Sequence, residues 1–192
     1  KQDNDGNGYK GDVYGYNFVF ETGVISWDDI NDTGHGTHVA GVIAAQNNNG
    51  IGISSIAGGN GDIPGVKIMS CQIFSGNDAT SGAITTSAEA IKYAADNGAA
   101  IIQCSFGSKA GAYTSDSAYE RGSGVQYNAI KYFIESQNCD AVGGGVVIFA
   151  AGNDAQMIFP MIAGKLVAGV TALIVANLLA PKLLSKIQTI SK

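Results

Sequence analysis

The side chains with chemistry to offer are two imidazoles, a cluster of carboxylates near the start of the chain, and a Gly-Asn pair after an apolar run. His35 and His38 lie three apart in HGTHVAG. An imidazole with its ordinary pKa of about 6.5 can take a proton from a hydroxyl and return it to a leaving group. Two histidines at this spacing could also chelate a metal, but no acidic or third ligand stands nearby in sequence. Asp3-Asn4-Asp5-Gly6-Asn7-Gly8 follows the first half of an EF-hand-type calcium loop. Oxygens from Asp3, Asp5 and Asn7 would take loop positions 1, 3 and 5, with Gly at the sharp turn of position 6. The closing Glu is missing: Tyr14 stands at position 12, with Asp12 close by. A plain Asx-rich turn fits the same residues. Gly152 and Asn153 end the apolar run 146–151, where Asn could donate its amide to a ligand or simply tolerate a left-handed turn.

These groups must be positioned by neighbouring elements. Residues 35–46 read as a helix with Thr33 as its N-cap; Ala40, Gly41, Ala44 and Ala45 permit close approach to a neighbour. Strands are predicted over 14–20, 66–74, 100–106 and 146–151, and helices over 87–97, ended by Gly98, and 125–137. Residues 113–124 read as a polar loop and the last quarter as helical. Strand and helix alternate from 66 to 151, which predicts a parallel sheet covered by helices on both faces. Ligands collect at the carboxyl ends of such strands, where Ser105, Phe106, Gly107, Gly152 and Asn153 stand.

Composition narrows the class. A chain of 192 residues can form one domain with a sizeable core, and 45% apolar content excludes a disordered tail. Its 27 glycines, about twice the average share, imply many tight turns. The net charge of −5 and scattered Lys and Arg argue against nucleic acid as a partner. Cys71, Cys104 and Cys139 show no zinc spacing, and Cys71 and Cys104 in apolar runs read as buried free thiols. No signal peptide opens the chain, as expected of a mature, trimmed or cytosolic protein. Residues 166–184 approach membrane-spanning length, but Asn177, Pro181 and Lys182 interrupt them, which favours a buried core helix. Oligomeric state is not written in the sequence.

The run Asp32-Thr33-Gly34-His35-Gly36-Thr37-His38-Val39-Ala40-Gly41 resembles the histidine motif of the subtilisin-like serine proteases, the subtilases. VVIFAAGN at 146–153 resembles their oxyanion segment, and IIQCSFG at 101–107 resembles their substrate strand. The order of these segments is the family's own. The resemblance implies a three-layer α/β fold with a mostly parallel sheet flanked by helices, and a serine endopeptidase acting on polypeptides. It implies that His35 is the general base, His38 structural, and Asn153 a donor to the oxyanion. Ser105, Phe106 and Gly107 would offer backbone groups to an extended peptide, a form of β-augmentation. It also implies structural Ca2+, at Asp3, Asp5 and Asn7 or near Asn47, Asn48 and Asn49, and a secreted or cell-envelope location.

The pattern breaks at two places. No aspartate follows an early apolar strand, since Asp3 and Asp5 belong to the Asx-Gly loop. No serine occurs between Asn153 and Ser185, although LVAGVTALIVAN at 166–177 resembles the helix that follows the family's nucleophile. The resemblance therefore covers 1–155 and 166–180. The expectation is an apparently truncated domain that lacks segments of the real protein, because such losses would expose apolar surface and sheet edges. The rivals are a catalytically inactive peptide-binding relative and a fragment with no function of its own.

Overall fold

The computed structural model describes residues 2–26, 34–75, 84–107, 113, 115–137, 143–150 and 167–168. The chain divides into two compact units, Lys1–Ala90 and Ile91–Lys192.

In the first unit, β1 (Gly15–Asn17) pairs in parallel with β2 (Ser70–Gln72). Gly15 pairs with Ser70 at φ 122°, and a Cβ there would lie 2.0 Å from the Ser70 carbonyl oxygen, so only glycine permits this approach. Asn17 is buried and organises the turn that follows. Its Oδ1 accepts from the amides of Val19 and Phe20 at 3.0 and 3.1 Å, and its Nδ2 donates to Gln72 Oε1 at 3.0 Å. Both strands are shorter than the predicted 14–20 and 66–74. The Asn17-centred turn bends the chain back to a bridge between Asn17 and Thr22.

The helix α1 (His35–Ala44) follows Gly34, which holds the N-cap position at φ 64° with no side-chain cap. Thr33 is therefore not the N-cap residue: the left-handed turn that opens the helix falls one residue later, on a glycine. The other end is closed by the chain folding back. The amides of Ile56 and Ala57 donate to the carbonyls of Val42 and Ile43, and Ser55 Oγ donates to that of Ala45. These bonds satisfy carbonyls that every helix C-terminus leaves open. No residue of α1 is fully buried, and Val42, Ile53 and Ile56 remain exposed.

The helix α2 (Ile84–Asp96) crosses from the first unit's sequence into the second's. It ends as predicted at Gly98, where φ 78° lets Gly98 N donate to Ala95 O and Ala99 N to Ala94 O, a Schellman closure. In the second unit, β3 (Ile101–Cys104), β4 (Val146–Phe149) and β5 (Val167–Ala168) form a parallel sheet in the order β3-β4-β5. Between β3 and β4 lie α3 (Asp116–Gly122) and α4 (Gly124–Ser136). The helix α3 replaces part of the loop expected over 113–124. Ser115 caps it by accepting from Ala118 N, with Asp116 in the first turn and Arg121 in the last.

The core of this unit joins Ile91, Ala95, Cys104, Tyr119, Ile130, Phe133, Ile134 and Val147. From α4 come Gln126, Ile130, Phe133 and Ile134, one face of a helix. From the sheet, Ile102, Cys104, Phe106, Val147 and Phe149 line the same core by the two-residue period of a strand. Ile101 and Gln103, on the other side of β3, are exposed, so among the described residues helices cover one side of that strand. Residues 167–168 form a strand, against the helical expectation; the rest of 151–192 lies outside the described residues. Among the described residues, no helix is long and apolar enough to cross a membrane. The α/β class with parallel strands matches the expectation from sequence.

Candidate active site

His35 is the first residue of α1 and is exposed. The glycine at 34 starts the helix without placing a side chain beside the imidazole, and Gly36 leaves open space on its other side. His38, one turn on, is also exposed; its backbone amide donates to Gly34 O at 2.9 Å. Asn153 lies outside the described residues.

Ser105, Phe106 and Gly107 follow directly from β3, at its carboxyl end, as the strand pattern predicts. The ladder continues one step past the strands, with Ala150 N donating to Cys104 O at 2.9 Å. Gln103 Nε2 donates to Ser105 Oγ at 3.2 Å. The Phe106 ring stands edge-to-face on Phe149, with centroids 5.7 Å apart, which fixes the chain direction at this end. Gly107 is exposed, and a Cβ there would meet only Ala150 O, at 3.9 Å. Among the described residues β3 stands at an edge of its sheet, the place where a peptide strand could be added.

The Asx loop is curled. Asp3 accepts from Gly6 N at 2.8 Å and Gly8 N at 2.9 Å, and the positive φ of Gly6 and Gly8 allows the bend. Asn7 Nδ2 donates to Asp5 and, at 2.9 Å, to Asp12 Oδ2, bringing Asp12 into a group that sequence spacing left at its margin. Among the described residues, no three His, Cys, Asp or Glu side chains gather as a metal centre. Asn47 Oδ1 accepts from Ser55 N and Asn49 Oδ1 from Ile51 N, so both amides brace their own loop.

The cysteines offer no rival nucleophile among the described residues. Cys104 is 2% exposed in the core, and desolvation pushes the Cys71 thiol up to about 12, so it stays protonated at neutral pH. Both are free thiols, as expected, but only Cys104 is buried and Cys71 is half-buried; Cys139 lies outside the described residues.

Known proteins point the same way as the motifs. The model of the subtilase family matches residues 20–178. A thermophilic serine proteinase from Bacillus sp. (strain AK1) is 34% identical over 142 residues, covering 74% of this chain and 28% of that protein. Thermitase from Thermoactinomyces vulgaris is 36% identical over 123 residues, 64% of this chain and 35% of that protein. A cell wall-associated protease from Bacillus subtilis (strain 168) is 41% identical over 93 residues, 48% of this chain and 9% of that protein. The chain thus spans about a third or less of the length of these relatives. No solved structure matches it. With the histidine motif, the substrate strand and the oxyanion segment all inside the matched stretch, the chain belongs to the subtilase family.

Proposed function

We propose that this chain is part of a serine endopeptidase in which His35 is the general base. The observation that carries the reading is the ordered set HGTHVAG, CSFG and AAGN within the family match, with His35 open to solvent at the first turn of α1. In this reading an extended peptide lies along Ser105, Phe106 and Gly107, presenting its carbonyl to a serine hydroxyl. His35 takes the serine proton as the oxygen attacks and later returns it to the leaving amine. The Asn153 amide donates to the oxyanion, a contribution of about 3 kcal/mol in such sites. The serine and the carboxylate that orients the imidazole are not identified among these residues.

The empty stretch between Asn153 and Ser185, which holds no serine, favours a second reading: a peptide-binding relative that does not cut. A fluorophosphonate probe on the native protein separates the two. Covalent labelling that His35→Ala abolishes supports the peptidase; peptide binding with no labelling sinks it in favour of the binder.

Calcium fits the Asx loop by its donor set, since Asp3, Asp5 and Asn7 offer hard oxygens on a loop already curled by Gly6 and Gly8. Bound there, the ion would neutralise carboxylates and fix the fold of the loop. Millimolar calcium is expected to raise the melting temperature, EDTA to reverse it, and a D3A/D5A variant to lose the response. An unchanged melt in the parent would remove calcium from this loop. Export to the cell surface, in keeping with the name of the Bacillus subtilis relative, completes the reading.

A further inference from the structure

Six residues beyond Gly107 the chain is pinned. The Tyr113 hydroxyl and Ser123 Oγ are 2.6 Å apart, a side-chain hydrogen bond across the junction of α3 and α4. The Tyr113 ring packs on the Tyr119 ring, with centroids 5.0 Å apart, and against the core that also holds Cys104 and Phe106. Room for the ring comes from Gly122, where a Cβ would stand 2.5 Å from Tyr113 Cε1 and 3.1 Å from its hydroxyl. Gly122 has no need of a left-handed backbone, so the glycine is explained by the space the ring occupies.

We infer that Tyr113, latched by Ser123 and admitted by Gly122, is a positioning residue for the substrate strand. The inference rests on the reading of 105–107 as the peptide-binding edge. Phe106 is anchored on one side by Phe149, and it packs on the same core as Tyr113. Phe106 and Tyr113 are therefore fixed on one core, the first just past the β3–β4 ladder at Cys104 and the second by the phenol bond to Ser123. A strand end whose supporting core is held in place samples fewer conformations, so less ordering remains to be done when a peptide aligns beside it.

The test pairs amide hydrogen exchange with binding of an extended decapeptide, read by fluorescence anisotropy, on the parent chain, Tyr113→Phe, Ser123→Ala, their double variant and Gly122→Ala. Tyr113→Phe keeps the ring and removes only the hydroxyl. It is expected to speed exchange at 105–107 about tenfold and to weaken peptide binding several-fold, with exchange in α4 unchanged. Ser123→Ala should match it, the double variant should add nothing further, and Gly122→Ala should exceed both by displacing the ring. Unchanged exchange at 105–107 in Tyr113→Phe overturns the latch. Faster exchange with unaltered peptide affinity, or a parent that binds no peptide, overturns the assignment of 105–107 as the binding edge and leaves the latch a purely structural bond.

Discussion

His35 stands at the start of α1 with glycine on both sides, so its replacement removes a functional group and little packing. In the proposed mechanism His35→Ala lowers kcat/KM by roughly six orders of magnitude, the scale of a triad histidine in this class of enzyme. Turnover of a fluorogenic peptide checks it, with circular dichroism expected to stay unchanged. Asp96 shows a different residue-level effect. Desolvation raises its pKa, but hydrogen bonds from Lys92 and Tyr132, with the Lys92 charge, prevail and hold the carboxyl below its ordinary range. The folded state then binds a proton less readily than the unfolded one. The resulting stability is present above the unfolded pKa of about 3.9 and is lost as pH falls through the lower folded value. Because the group is substantially exposed, solvent reduces this to a few tenths of a kcal/mol. Asp96→Asn is expected to flatten the acid limb of a urea-midpoint-against-pH curve below about pH 4 and to lower the neutral-pH midpoint slightly.

At the scale of elements, one glycine shows how a short sheet can be exacting. Gly15→Ala would drive a Cβ into the Ser70 backbone at a φ that disfavours any side chain, so β1 could no longer lie against β2. A loss of about 2–4 kcal/mol is expected, read as a lowered urea midpoint together with faster amide exchange across 15–17 and 70–72. The helices were the legible elements. The helix over 125–137 and the Gly98 stop of α2 were legible because a helix repeats its signal over several turns. The strands were over-read: 14–20 shrank to Gly15–Asn17, because Asn17 spends its side chain on a turn that no apolar pattern reveals. The helix α3 was missed because its seven residues carry few apolar positions, although the Ser115 cap, Asp116 and Arg121 were there to be read.

At the scale of the molecule, several apolar side chains among the described residues of the first unit are exposed, Ile51 at 77% and Ile56 at 80%, with Val42, Ile53 and Ile63. Surface of this kind binds hydrophobic dyes and drives association. The 192-residue chain is expected to enhance ANS fluorescence and to self-associate at micromolar concentration in analytical ultracentrifugation. An I51S/I56S variant should reduce both without changing the helical circular dichroism, since neither side chain is packed. A dye signal equal in parent and variant would place the sticky surface elsewhere.

Family and fold class were written in the sequence, because HGTHVAG, CSFG and AAGN are local runs recognisable from residue type and spacing. The free state of Cys71 and Cys104 was legible for the same reason, as both sit in apolar runs. Only tertiary structure decided which strand pairs with which, that 167–168 joins β4 as a strand, and that Tyr113 reaches Ser123. Those outcomes depend on contacts between residues distant in the chain. A helix-like apolar run can become a sheet edge when a neighbouring strand offers its unpaired amides and carbonyls.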